Sequence, residues 1–266
     1  MSIKRVIGAV SLTLILASLT SAATITWKGP GYSSPAGAWE DASNWDGGLP
    51  TATDGIVRAY RSDGAGSNIT IDTSVSGGVK LQMKYGKSKI TINNGGTLTN
   101  SGLVEMFMGT TSEVLIMAGG TWNACTSASG ANFLLATSTS SKDTVSVWGT
   151  LNVSGASAPK LTIGTTGDAS GFGTVNIYSG GLVTADRYQI GNRGVINMWS
   201  GAVFKIKGDV TATTAADIAS GKIAGQGGAV LSTYYNAFEN MTYVIPEPAT
   251  VALLGLGGLT LLLRRK

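Results

Sequence analysis

Acid–base chemistry in this sequence would have to rest on carboxylates, because its 266 residues include no histidine. That absence removes Ser-His-Asp and Cys-His catalysis, histidine metal sites and the commonest general base. Glycoside hydrolysis needs two carboxyl groups about 5–9 Å apart across a bound sugar. The body offers Asp143, Asp168, Asp186 and Asp209. They are scattered singly, mostly beside Gly, Ser or Thr, where aspartate ordinarily forms turn hydrogen bonds. No Asp-rich loop has calcium-motif spacing, and Gly225-Gln226-Gly227-Gly228 lacks both a following helix pattern and the Lys-Ser/Thr of a phosphate loop. No catalytic residue, metal or cofactor is therefore expected, and the chain reads as a protein other than an enzyme. Aromatic rings offer a different chemistry, stacking on sugars. Trp39 and Trp45 are the foremost candidates, with Trp148 and Trp199 beside them by residue type; capping and core packing is the competing role. The single cysteine, Cys125, has no partner for an internal disulfide and reads as a small buried side chain.

Any such residues would have to be positioned by short strands. Thr174-Val175-Asn176-Ile177-Tyr178 and Ser88-Lys89-Ile90-Thr91-Ile92-Asn93 show the period of two expected when one face is buried. A Gly-Thr or Gly-Leu step recurs at Gly96-Thr97, Gly120-Thr121, Gly149-Thr150 and Gly181-Leu182. Each is followed by an apolar-then-tiny pair: Met108-Gly109, Leu135-Ala136, Ile163-Gly164 and Ile190-Gly191. Another alternating run comes next: Val114 with Ile116, Val145 with Val147, Val175 with Ile177, and Val195 with Asn197. Three short strands in fixed order, repeating every roughly 20–32 residues, mark a coiled sheet whose coils contact only their neighbours. The expected fold is all-β, a right-handed parallel β-helix with glycines at the corners. An antiparallel β-sandwich is the alternative, since Gly95-Gly96 and Gly180-Gly181 also suit hairpin turns. The one short helix expected covers Ala215 to Ala219.

The ends are of another kind. Lys4 and Arg5 precede an apolar run from Val6 to Leu19 and a small-residue exit, Ser21-Ala22-Ala23, which is the pattern of a secretory signal peptide cleaved after Ala23, with Ala22 the second choice. At the other end Pro246-Glu247-Pro248 precedes an apolar stretch from Ala249 to Leu263 and a basic cluster, Arg264-Arg265-Lys266. A helix over that stretch reaches roughly 22 Å, short of the roughly 30 Å hydrocarbon core, so it would sit in a membrane with its basic tail snorkelling on the cytoplasmic side. The formal net charge of +4 is a property of these ends. Without Lys4, Arg5, Arg264, Arg265, Lys266 and Glu247 the body is neutral, which leaves no basic footprint for nucleic acid.

The triplet, short apolar helix and terminal basic cluster resemble the PEP-CTERM sorting signal. That resemblance implies recognition by an exosortase in the inner membrane during export, a cell-envelope, surface or extracellular location in a Gram-negative-type bacterium, and a role near exopolysaccharide and biofilm matrix. The stretch from Trp39 to Pro50, with Trp27 before it and Asp54 after, resembles the opening segment of autotransporter-like β-helix proteins that carry such tails. The expected organisation is a signal peptide over 1–23, an N-terminal capping segment over 24–80, β-helix repeats over 81–243 and the sorting and anchor segment over 244–266. The expected function is that of a structural or adhesive surface protein, sorted by secretion machinery and exosortase. A carbohydrate-binding module on the same scaffold is the alternative, and a polysaccharide lyase or hydrolase a third.

Overall fold

Alternation of Val, Ile and Leu with Thr, Ser and Asn gives a strand one dry and one wet face, and here the dry faces of three sheets enclose a common core. The computed structural model describes residues 23–29, 36–61, 66–84, 87–106, 111–127, 131–137, 141–164 and 170–247. The signal segment before Ala23 and the short apolar helix expected after Pro248 lie outside the described residues.

The chain opens with β1 (Thr24–Trp27), β2 (Ala36–Ala38) and β3 (Trp45–Asp46). It then coils regularly, one strand per sheet per coil: β4 (Ile56–Arg58), β5 (Ser67–Ile71) and β6 (Ser74–Ser76), then β7 (Lys80–Met83), β8 (Ser88–Ile92) and β9 (Thr97–Thr99). The next coils supply β10 (Val104–Met106), β11 (Glu113–Ile116) and β12 (Thr121–Ala124), followed by β13 (Asn132–Leu135), β14 (Lys142–Val147) and β15 (Thr150–Val153). After them come β16 (Lys160–Ile163), β17 (Phe172–Ile177) and β18 (Leu182–Ala185), and then β19 (Arg187–Ile190), β20 (Gly194–Met198) and β21 (Val203–Lys207). The chain closes with α1 (Thr211–Ala219), β22 (Ile223–Gly225), β23 (Leu231–Asn236) and β24 (Met241–Pro246).

Three sheets of eight strands result, in the orders β19-β16-β13-β10-β7-β4-β1-β3, β2-β5-β8-β11-β14-β17-β20-β22 and β23-β24-β21-β18-β15-β12-β9-β6. We refer to them as the first, second and third sheets. Apart from β1–β3 and the pairings of β24 at the two ends, every pairing among the described strands is parallel, so the architecture is a parallel β-helix and the antiparallel sandwich is set aside. With strands about 4.8 Å apart, eight of them make a rod roughly 34 Å long.

The register stacks like on like. In the second sheet Ile69, Ile90, Val114, Val145, Val175 and Ile196 form one inward column, all fully buried. In the third sheet Leu98, Trp122, Leu151, Val183, Phe204 and Val244 form another. Each such side chain contributes about 1.5–3 kcal/mol by burial. One expected pair is out of phase. Val195 and Asn197 face outward, and Ile196 and Met198 take the inward places above Val175 and Ile177. Val195 and Ile196 are adjacent apolar residues, so either phase of the alternation is open locally, and the pairing with β17 puts Ile196 inward.

The Gly-Gly corners lead from the second sheet to the third, rather than making hairpins. Gly180 has φ +80°, a conformation that L side chains rarely adopt. Gly181 is needed for space, because a Cβ there would stand 2.2 Å from the Val147 carbonyl oxygen of the coil below. The ladders also run through the boundary expected at residue 80: β4 pairs with β7, β5 with β8, and β6 with β9. What covers the N-terminal end of the core is narrower, the cluster of Trp27, Trp39 and Trp45 with the antiparallel β1–β3 pair. The C-terminal end is closed by α1 and by the antiparallel β23–β24 hairpin. The Thr214 and Thr233 hydroxyls join helix to hairpin at 2.7 Å.

Candidate functional site

The sorting triplet begins inside the fold. β24 pairs with β21 as far as Val244, opposite Phe204, and with β23 as far as Pro246, opposite Leu231. Val244 is fully buried, Pro246 is buried, and the Glu247 amide donates to the Val230 carbonyl at 2.7 Å. The boundary expected between 243 and 244 therefore cuts through a strand. Pro248, Arg264, Arg265 and Lys266 lie outside the described residues. Residues 244–266 match the PEP-CTERM protein-sorting motif. The motif marks the chain for exosortase-dependent sorting to the surface or exterior of a Gram-negative-type bacterium. No curated protein and no solved structure matches the chain. No helix among the described residues is long and apolar enough to cross a membrane. The motif covers the tail alone, so the work of the exported body has to be read from its own geometry.

At the other terminus, Ala23 is exposed, and its carbonyl accepts from the Gly55 and Ile56 amides at 2.9 and 3.2 Å. The residue expected to end the signal peptide thus touches the start of the first-sheet ladder.

The aspartates occupy different corners. Asp186, between β18 and β19, accepts from the Gly155 amide at 2.9 Å. Asp209 accepts from the amide and hydroxyl of Thr211 at 3.2 and 2.7 Å, at the entrance to α1. Both perform turn chemistry. Asp168 lies outside the described residues. Asp143 differs: it points inward at the start of β14, only 1% exposed, above a column of buried serines, Ser67, Ser88 and Ser112. Burial pushes its carboxyl up to about 6, against hydrogen bonds from Ser112 and Ser141 that hold it down. The Ser112 amide donates to Oδ1 at 2.9 Å, while Oδ2 has no hydrogen-bond partner among the described residues. Among the described residues, no three His, Cys, Asp or Glu side chains gather where they could hold a metal ion.

Trp39 and Trp45 cannot stack on a glycan, which corrects the expectation from residue type. They are 0% and 1% exposed. Trp45 packs edge-on against both Trp27 and Trp39, with centroids 5.0 and 4.6 Å away, and its indole N–H donates to the Trp39 carbonyl at 2.8 Å. An open-ended stack of coils needs its last layer covered, and these rings cover it. The solvent-facing aromatics lie elsewhere. Trp148, Tyr178 and Trp199 sit one above another at the corner after the second sheet, with centroid distances of 4.0 and 4.3 Å and interplanar angles of 0° and 22°. All three are half-buried. The stacking covers both faces of Tyr178 and one face of each tryptophan, so along its side the stack presents ring edges. Beside it runs an amide ladder: Asn197 donates to Asn176 at 2.9 Å, and Gln226 to Asn197 at 2.8 Å. The two tryptophans are candidates by residue type; Tyr178 completes the stack only because the coils align.

Two polar features carried no sequence signal. On the outer side of the first sheet, Glu105 is only 7% exposed. It accepts from Gln82 at 2.6 Å and pairs with Lys80 and Lys84 at 2.9 and 3.3 Å. Burial by itself would raise its carboxyl, but the bonds from Lys80 and Gln82 and the field of Lys84 outweigh that and hold it below the ordinary glutamate value. Where the first sheet turns into the second there is a cleft of about 420 Å³, with Ser67, Ser88, Ser112, Lys87, Lys89 and Glu113 in its lining. Its Lys89–Glu113 pair closes at 3.2 Å.

Proposed function

We propose that the body is a non-catalytic structural or adhesive element, a β-helical rod carried to the cell surface by its sorting tail and working there in the extracellular matrix. The observation that carries this reading is the outer surface. It is paved with side-chain ladders running along the rod, the Trp148–Tyr178–Trp199 stack and the Asn176–Asn197–Gln226 row, whose members satisfy one another instead of converging on a point. A surface of that kind suits extended contact with another surface or polymer. Asp143, Asp186 and Asp209, each engaged at a separate corner, support the non-catalytic part.

The test is display. Cells producing the whole chain are compared with cells producing a chain in which residues 24–240 are replaced by an unrelated folded domain. Loss of cell–surface or cell–cell attachment with the replacement, at equal surface abundance, is the expected result. Release of sugar fragments from polysaccharide by the purified body would overturn it. A second reading, a carbohydrate-binding module, is favoured by the half-buried aromatic edge beside the row of side-chain amides. Under it, retention on polysaccharide columns falls on Trp199→Ala and stays unchanged on Asp186→Asn.

A further inference from the structure

Pro246 and Glu247 belong at once to the sorting triplet and to the third sheet. An enzyme that reads a short peptide segment binds it extended, pairing with its backbone and seating its side chains in pockets. In the folded chain that backbone is taken: Pro246 is buried opposite Leu231, and the Glu247 amide is bonded to the Val230 carbonyl at 2.7 Å. No spacer separates the triplet from the core, since Val244, two residues earlier, is fully buried against Phe204 and its neighbours. We propose that the folded terminal hairpin withholds the triplet, and that the sorting enzyme reads it only when the end of β24 is out of the sheet. The proposal rests on the tail being an exosortase substrate.

The fold makes this opening a local one. Pairing with β21 stops at Val244, whereas pairing with β23 continues to Pro246. Residues 245–247 are therefore held by one neighbour, and they can peel while Val244 and the strand before it stay docked. Openings of this kind cost much less than global unfolding. Exposure of the triplet becomes a property of the hairpin, so a body that has closed its last strand is a poorer substrate than one still folding.

Two variants of the full chain test it. In the first, Ser232→Cys with Ile245→Cys places cysteines directly opposite each other across β23 and β24. Opposed residues of an antiparallel pair lie about 4.5–5.5 Å apart at Cα, within disulfide reach. Native Cys125 will not compete, being fully buried with its thiol pushed up to about 12. In the second, a short Gly-Ser spacer is inserted between Ile245 and Pro246. Purified protein is incubated with membranes containing the exosortase, and intact mass is followed with time. The expected result is processing of the oxidised clamp at least ten times slower than of the same protein after reduction, with the spacer variant faster than the parent chain. Equal rates for oxidised and reduced clamp would overturn the proposal, because the triplet would then be read in place. If neither the reduced clamp nor the spacer variant is processed, the exosortase assignment itself fails, and the proposal falls with it.

Discussion

Asp143 carries the clearest consequence at the scale of single residues. Its folded carboxyl titrates near 6 and its ordinary value is 3.8, so between those limits the folded chain holds a proton that the unfolded chain has lost. Stability from this group is complete below about pH 4 and falls as pH rises through 6. Asp143→Asn keeps an acceptor for the Ser112 amide and removes the buried charge. We expect it to raise stability at pH 8 by about 1–3 kcal/mol and to change little at pH 4, as read from urea midpoints at both pH values. Glu105 acts with the opposite sign: its carboxyl is held below the ordinary 4.5, so its contribution is present above that value and is lost on acidification. The same scale explains why the tryptophans could not be sorted by type. Trp45 and Trp199 have the same ring, and only the place of each in its coil makes one a cap and the other an outer rung.

Among elements, the strands and corners were largely legible and the cross-coil ladders were not. The alternating runs at Val114, Val145 and Val175 mark true inward positions, because period-two patterning is a local property. The run at Val195 misleads, because Val195 and Ile196 are adjacent apolar residues and the local pattern can be read in either phase. The stack of Trp148, Tyr178 and Trp199 joins three coils, and no single strand contains the information for it. Aromatic pairs add about 0.5–1.5 kcal/mol beyond burial. Tyr178→Ala, which breaks both contacts, should therefore lower stability by about 2 kcal/mol and reduce the near-ultraviolet dichroism of the two remaining tryptophans. Trp148→Ala, which breaks one, should cost about half as much in the same denaturation series.

For the whole molecule, stability in a coiled sheet is close to a sum over neighbouring coils, with closed ends required for solubility. Here both ends are closed by antiparallel strands, β3 at one and the β23–β24 hairpin at the other. The C-terminal closure shares residues with the sorting motif, so the position of a truncation matters more than its size. A chain stopped after Glu247 should fold like the parent. A chain stopped after Tyr243 loses Val244 from the core and the last pairs of the hairpin; it should be about 3 kcal/mol less stable and prone to self-association, measurable by thermal unfolding and light scattering.

Sequence alone determined what depends on local pattern and on order along the chain: the sorting segment, the absence of histidine chemistry, the short alternating strands and their recurrence in threes. Tertiary structure decided everything that depends on which coil lies beside which. It put Trp39 and Trp45 inside, assembled the outer aromatic stack, buried Asp143 and Glu105, and carried the last strand into the sorting triplet. The physical reason is that a parallel β-helix makes its contacts between residues some 20–32 positions apart, and the register of those contacts is set by turns whose lengths vary without changing the pattern on either side.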